Sequence, residues 1–154
     1  MDKSRGGFLS LHIRLLNGRL FQKLLNKEPG VLYRSEQGKI LSFLWSQADG
    51  RATATDIALA TGLANNTLTS MVKKLADQGL VDMQPSKDDK RKKFIVLTPL
   101  GWSQKEIGER VSQELGEIFY QGFSDEEIAS FEAYQQRILD NLRNYEAGGG
   151  ASEE

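Results

Sequence analysis

The stretch of sequence that decides the fold is residues 62–101, GLANNTLTSMVKKLADQGLVDMQPSKDDKRKKFIVLTPLG. Its first part carries apolar residues at the spacing i, i+3, i+4 and i+7, namely Leu68, Met71, Val72 and Leu75. This spacing predicts an amphipathic helix over about residues 65–78, which Gly79 then ends. The other face of that helix carries small polar and basic side chains: Asn65, Asn66, Thr67, Thr69, Ser70, Lys73 and Lys74.

A shorter helix is predicted just before it, in residues 53–63, TATDIALATGL. Thr53 and Asp56 have the spacing at which each side chain caps the backbone N–H of the other residue, as in a capping box. Gly62 is the turn glycine expected between two short helices that cross steeply. The two segments together predict a helix-turn-helix.

A hairpin is predicted after Gly79, because two β-prone runs flank a polar tip. The runs are residues 80–85, LVDMQP, and residues 93–98, KFIVLT, and the tip is residues 86–92, SKDDKRK. The tip and its edge hold five cations, Lys87, Lys90, Arg91, Lys92 and Lys93, against two acids, Asp88 and Asp89, in a chain of net charge −1. Such a tip suits the phosphate backbone of nucleic acid, because neutralising phosphates releases condensed counterions.

The order of these elements and the string DKRKKFIVLTPLG, residues 89–101, resemble the MarR family of bacterial winged-helix transcription regulators. The family's wing carries an Asp-x-Arg signature, which Asp89 and Arg91 match. A Leu-Thr-x-x-Gly element follows it in the family, and Leu97, Thr98 and Gly101 match that element. The resemblance covers nearly the whole chain. It implies a mainly α (α+β) fold with a small β-hairpin wing: a winged helix-turn-helix with long dimerisation helices from both termini.

The resemblance also implies which residues contact double-stranded DNA. Helix 65–78 becomes the recognition helix, and Arg91 enters a minor groove while Asp89 orients it through a charge-assisted hydrogen bond. The whole predicted DNA-binding wing consists of Lys87, Asp89, Lys90, Arg91, Lys92 and Lys93. Relatives often begin the recognition helix with a serine where this chain has Ala64, so we expect Asn65 or Asn66 to provide its cap.

The remaining segments are predicted to form the scaffold of a chain whose 154 residues make one unit. Long amphipathic helices are expected within residues 6–28 and 99–146, on either side of a DNA-binding region at residues 33–98. Ser35 is the expected N-cap of the helix that Asp49-Gly50 ends. Thr98-Pro99 begins a long helix that passes through Phe119 and ends near Gly122, and Ser124 with Glu127 begins another. Residues 147–154 lack a large apolar side chain and are predicted to be disordered.

The terminal helices carry more apolar surface than a small winged-helix core can cover, which predicts a homodimer. The resemblance implies that these helices interlock with those of a partner. Two recognition helices then enter successive major grooves about 34 Å apart on a pseudo-palindromic operator. The alternative is that the same helices form a larger monomeric helical domain.

A small aromatic or anionic effector is a further implication, because many members of the resembled family release DNA when such a molecule binds. His12, Arg14, Phe43 and Trp45 lie on the helices that line the ligand pocket in those proteins, and they are the candidate ligand pocket. The alternative is that Phe43 and Trp45 are core residues, that Arg14 is solvated and that His12 lies at the surface or at an interface.

Composition excludes several other functions. The chain has no cysteine, which excludes disulfides, thiolate metal sites and a thiol redox switch, and its one histidine cannot build a multi-histidine metal site. It contains no Gly-rich phosphate cradle and no nucleophile elbow, so we expect neither an enzyme nor a cofactor nor a metal. It has no apolar run long enough for a membrane span and no signal peptide, which predicts a cytoplasmic protein without a membrane partner.

The sequence therefore predicts a sequence-specific DNA-binding transcription regulator, most simply a dimeric repressor. The alternative from another class is a winged helix that binds a protein instead of specific DNA. A protein-binding wing needs exposed apolar anchors, and the tip at residues 86–92 has none.

Overall fold

The computed structural model describes residues 1–89 and 91–149. The elements in chain order are helices α1 (Arg5–Asn26) and α2 (Gly38–Ser46), strand β1 (Arg51–Thr53), helices α3 (Ala54–Thr61) and α4 (Asn65–Asp77), strands β2 (Val81–Pro85) and β3 (Lys93–Leu97), and helices α5 (Pro99–Ser103), α6 (Lys105–Phe119) and α7 (Asp125–Asn144). A short 3₁₀ turn, Ser35–Gln37, precedes α2, and a π-helical turn, Tyr145–Gly149, follows α7. The chain divides into two compact units, Met1–Leu115 and the segment from Gly116 onward.

The first unit is built around a core that α2, α3, α4, the sheet and α6 share. Its fully buried side chains include Leu41, Ile57, Leu75, Ile95 and Val111, one from each of these elements. Burying such side chains away from water stabilises the fold by about 1.5–3 kcal/mol each. This core fixes the helix-turn-helix of α3 and α4 as one piece, with Gly62 in the left-handed conformation (φ 75°) at the turn between them.

The predicted hairpin is present as β2 and β3, in which Val81 pairs with Leu97 and Pro85 with Lys93. The sheet nevertheless has three antiparallel strands in the order β1-β3-β2, because β1 pairs along the other edge of β3. The three residues of β1 are too few for an alternating pattern to show in the sequence. The strand exists because β3 offers it a ladder of backbone hydrogen bonds and Ala52 is buried.

The predicted start of α3 is confirmed in part. The side chain of Thr53 accepts a hydrogen bond from the backbone N–H of Asp56 at 3.1 Å, which is one of the two bonds of a capping box. Ala64 occupies the N-cap position of α4 and provides no side-chain bond, so the expected cap from Asn65 or Asn66 is wrong as stated. Asn66 instead accepts from the N–H of Thr67 at 2.8 Å, within the first turn.

Two other helix predictions need correction. Ser35 does not cap α2, because it lies in the 3₁₀ turn, where Gln37 Oε1 accepts from the N–H of Arg34 at 2.9 Å. The long helix expected from Pro99 to near Gly122 is broken at Gln104 into α5 and α6, and α6 ends at Phe119. The side chain of Gln104 is buried because it bonds the backbone of the segment before α2, and this anchor marks the break.

The second unit consists of the end of α6 from Gly116, a short turn and α7. Ser124 and Glu127 form the predicted capping box, with bonds of 2.9 and 3.1 Å between the side chain of each and the N–H of the other. The aromatic rings of Phe119, Tyr120, Phe123 and Phe131 pack together near the start of α7. The π-helical turn reaches Gly149, beyond the predicted start of the tail at residue 147, and residues 150–154 lie outside the described residues.

None of the helices in the described part of the chain is long and apolar enough to cross a membrane.

Candidate nucleic-acid interface

Helix α4 has one buried face and one exposed face, as the sequence predicts. Leu68, Val72 and Leu75 are buried in the core of the first unit. All seven predicted recognition residues are exposed, namely Asn65, Asn66, Thr67, Thr69, Ser70, Lys73 and Lys74. The helix therefore presents a small, polar and basic surface to solvent.

Part of that surface is already held in place by local hydrogen bonds. The hydroxyl of Thr69 donates to the carbonyl oxygen of Asn65 at 2.8 Å, and Asn66 Oδ1 accepts from the N–H of Thr67. These bonds restrict the side-chain rotamers of Asn66 and Thr69. A groove of ≈ 540 Å³ runs along one side of α4, and Arg34, Gln37, Asn66, Ser70, Lys74 and Gln78 are among its lining residues.

The tip of the wing, residues 86–92, is closed by hydrogen bonds around Ser86 and Asp89. The N–H of Ser86 donates to the carbonyl oxygen of Lys92 at 2.9 Å, and the N–H of Lys92 donates to that of Asp89 at 3.0 Å. Ser86 Oγ accepts from the N–H groups of Asp88 and Asp89, both at 3.3 Å. These hydrogen bonds hold the described residues of the tip, 86–89 and 91–92, in a defined turn.

The predicted contact between Asp89 and Arg91 is present. Asp89 Oδ1 accepts from the backbone N–H of Arg91 at 3.0 Å and from its Nε at 3.3 Å, while the side chain of Arg91 is 92% exposed. One carboxylate oxygen therefore aims a guanidinium whose other N–H groups point to solvent. Lys87, Lys92 and Lys93 are exposed around it, and Lys90 lies outside the described residues.

Sequence reasoning missed a cation at the base of the wing. The guanidinium of Arg51 on β1 lies 4.0 Å from the ring centre of Phe94 on β3, and its Nε lies 3.8 Å from Asp49 Oδ2. Stacking of this kind adds about 0.5–1 kcal/mol at an exposed site. The sequence indicates a turn at Asp49-Gly50, just before Arg51, but that turn does not reveal that Arg51 lies on a strand paired with β3.

The residues of the Leu-Thr-x-x-Gly element attach the wing to the end of α4. Thr98 Oγ1 donates to the carbonyl oxygen of Gly79 at 2.6 Å and accepts from the N–H of Gly101 at 3.0 Å. The N–H of Thr98 donates to the carbonyl oxygen of Leu80 at 3.1 Å. One threonine thus caps α5 and fixes the backbone just after α4.

The four residues of the candidate ligand pocket fall into different environments. Trp45 is a core residue: its Nε1 donates to the carbonyl oxygen of Gly101 at 3.0 Å, and its ring packs edge-on against Tyr33. Phe43 is half-buried against the same core. His12 and Arg14 are exposed on α1.

Comparison with known proteins places this architecture among related folds. Residues 35–93 match the model of the MarR family. The chain matches no curated protein.

Among solved structures, a mutant of MarR from Escherichia coli complexed with operator DNA is 22% identical, with a TM-score of 0.77 over 90% of this chain and 99% of that one. BpsR from Bordetella bronchiseptica, whose DNA binding is regulated by 6-hydroxynicotinic acid, is 18% identical, with a TM-score of 0.77 over 91% and 96% of the two chains. Reduced AbfR bound to DNA is 26% identical, with a TM-score of 0.68 over 90% and 92%. These likenesses confirm the predicted winged helix-turn-helix fold.

Proposed function

We propose that this chain is a DNA-binding transcription regulator of the MarR family, and that it represses transcription as a homodimer bound to a pseudo-palindromic operator. The family resemblance drawn from Asp89 and Arg91 is confirmed by the match of residues 35–93 to the family model. So is the prediction that the chain is not an enzyme, because members of this family regulate transcription.

The observation that carries the proposal is the exposed polar face of α4 next to a wing that holds an arginine. In this arrangement Asn65 or Asn66 bonds an adenine edge in the major groove, and Thr67 or Thr69 meets a thymine methyl group or a phosphate. Lys73 and Lys74 contact phosphates, which fix the protein's position without reading sequence. Arg91 enters the flanking minor groove, where an arginine favours a narrow, negatively charged groove.

Selection of bound duplexes from a random library tests this function directly. We expect enrichment of a pseudo-palindrome whose half-sites lie about one helical turn apart. A protein-interaction winged helix, the alternative, enriches no sequence and binds duplexes without discrimination or not at all.

The dimer is supported by exposed apolar side chains on both terminal helices, each considered by itself. On α1, Phe8 is 72% exposed, and Leu9, Leu11, Ile13, Leu15 and Leu16 are also exposed. On α7 and the turn after it, Tyr134, Ile138, Leu142 and Tyr145 are exposed. Apolar stripes of this length mark protein contacts, and the occupant we propose is a second copy of the chain.

Leu16→Asp on α1 is expected to shift the protein from dimer to monomer, because a carboxylate would be buried without a partner in the interface. The dimer dissociation constant should rise by about a hundredfold or more, which corresponds to about 3 kcal/mol. Sedimentation velocity at micromolar concentration measures this change. Ser10→Asp, an exposed position on a different side of the same helix, adds the same charge, is the control and should leave the dimer intact. A wild-type protein with the mass of one chain would sink the dimer proposal in favour of a monomeric helical domain.

Lys73→Ala is expected to weaken binding to the selected operator and to an unrelated duplex by the same factor, because a phosphate contact carries no sequence information. The slope of log K against log salt should become shallower by about 1, the share of one released counterion. Fluorescence anisotropy at several salt concentrations measures both quantities. An effect confined to the operator would instead assign Lys73 to base recognition.

The proposed effector is a small aromatic or anionic molecule that lowers operator affinity. Its support is the family and, in one solved relative, regulation of DNA binding by 6-hydroxynicotinic acid. We keep the exposed His12 and Arg14 as candidate contacts and assign Trp45 to the core, because its ring and its Nε1 are already engaged there. A cytoplasmic location is part of the same proposal, since operator DNA lies there in bacteria.

A further inference from the structure

The segment between α1 and α2 is held by glutamine side chains that come from four parts of the first unit. Gln104 Oε1 accepts from the N–H of Leu32 at 2.8 Å, and its Nε2 donates to the carbonyl oxygen of Gly30 at 3.2 Å. Gln22 Oε1 on α1 accepts from the N–H of Ser35 at 2.8 Å. An extended segment without its own backbone ladder needs such partners, because buried N–H and C=O groups are costly to leave unpaired.

The same network reaches the end of the recognition helix. Gln78, the C-cap residue of α4, accepts from Gln37 Nε2 at 2.9 Å, and its own Nε2 lies 3.4 Å from the carbonyl oxygen of Leu32. Gln37 Oε1 accepts in turn from the N–H of Arg34. Each of these amides uses its donor and its acceptor at once, which a carboxylate or a hydrocarbon side chain of the same length cannot do.

Gln37 and Gln78 differ in how deeply they are buried. Both side chains line the groove beside α4, but Gln37 is only 3% exposed, whereas Gln78 is exposed. The bond between them therefore joins a buried, fixed group to the outer end of the helix that carries the proposed reading face. At the opposite end, Ala64 gives α4 no side-chain cap, so the C-terminal attachment matters more for its orientation.

We propose that Gln37 is a positioning residue for DNA reading, which acts through Gln78 to hold α4 at the angle at which Asn65, Asn66 and Thr67 meet base edges. This inference rests on the proposed function, in which α4 is the recognition helix. Loss of the bond lets the helix pivot about its other attachments, such as the bond between Thr98 and Gly79. Specific affinity then falls, while the wing still holds the phosphate backbone of any duplex.

The test compares Gln37→Met, Gln78→Met and the double variant, since methionine keeps the length of glutamine and removes its hydrogen bonds. For each we expect operator affinity to fall about three- to tenfold, the worth of one net hydrogen bond, with unrelated-duplex affinity unchanged. The double variant should lose no more than either single variant, because both remove the same bond. Gln113→Met, at an exposed position on α6, is the control and should change neither affinity.

Three results would overturn the inference while leaving the proposed function standing. An equal loss on both duplexes indicates a loss of folded protein only. A loss with Gln78→Met but not with Gln37→Met makes Gln78 a direct DNA contact. Additive losses in the double variant show independent roles.

If the wild-type protein does not prefer any duplex, the proposed function fails first, and the positioning role fails with it. Faster amide exchange at Arg34, whose N–H donates to Gln37 Oε1, supplies a readout without DNA in Gln37→Met, and unchanged exchange counts against the network.

Discussion

Replacing Arg91 with alanine is expected to lower affinity for the selected operator by about ten- to a hundredfold, the range of one base-reading or groove-inserted arginine. The reason is geometric. Asp89 Oδ1 fixes the guanidinium through Nε at 3.3 Å, and the side chain is 92% exposed, so little reorganisation is needed when it enters a minor groove. Anisotropy with operator and unrelated duplexes measures the change, and the operator should suffer more because groove width depends on sequence.

The matched control for Arg91 is Lys87→Ala, which removes another exposed cation from the same wing without an orienting carboxylate. Lys87→Ala should lower DNA affinity only by the contribution of one phosphate contact, and by the same factor for all duplexes. The loss of operator affinity with Asp89→Asn should lie between those of Arg91→Ala and Lys87→Ala, because Arg91 stays charged but loses the charge-assisted hydrogen bond that orients it. Equal losses of DNA affinity with Arg91→Ala and Lys87→Ala would mean that the wing attracts DNA without sequence preference and that Arg91 does not enter the minor groove.

Much of this site could be predicted from sequence because it depends on local rules. The spacing of Leu68, Val72 and Leu75 sets which face of α4 is buried, and the exposed face follows from it. Thr98 before Pro99 signals a helix start, and the structure shows Thr98 capping α5. Asp89 and Arg91 are two residues apart, so their contact needs no knowledge of the rest of the chain.

What the sequence could not reveal depends on partners distant along the chain. Strand β1 exists only through its pairing with β3, more than 40 residues later. Gln104 and Leu32 are 72 residues apart, and Gln37 and Gln78 are 41 apart. No sequence pattern distinguishes a glutamine in a buried hydrogen-bond network from a glutamine at the surface, so these hydrogen bonds could not be predicted from the sequence. The break in the predicted long helix at Gln104 was missed for the same reason.

Gly101→Ala is expected to be the most destabilising single substitution near the site. A Cβ at this position would overlap the carbonyl oxygen of Leu80 and would lie 3.0 Å from Leu97 Cδ2. Neither neighbour moves easily, because Leu80 accepts from the N–H of Thr98 and Leu97 lies in the core. Overpacking costs about 1–3 kcal/mol when side chains can adjust, and a backbone oxygen cannot adjust in that way, so we expect about 3 kcal/mol or more.

This strain also explains the glycine of the Leu-Thr-x-x-Gly element. The carbonyl oxygen of Gly101 accepts from Trp45 Nε1 and its N–H donates to Thr98, so α5 must come this close to Leu80 for both bonds to form. An alanine side chain at position 101 would either break these two hydrogen bonds or displace the backbone that directly follows α4. We therefore expect operator affinity to fall together with stability, and a thermal midpoint lower by about 6–12 °C in calorimetry.

The control for Gly101→Ala is Gly116→Ala in α6, where a Cβ meets nothing within 4 Å. Alanine there should raise stability by about 0.5–1 kcal/mol, because glycine loses more backbone freedom when a helix forms. The two substitutions add the same methyl group to the same chain and should move the midpoint in opposite directions. A rise of the midpoint in both variants would mean that helix propensity, and not contact with Leu80, decides the outcome at Gly101. The glycine in this element would then lose its steric explanation.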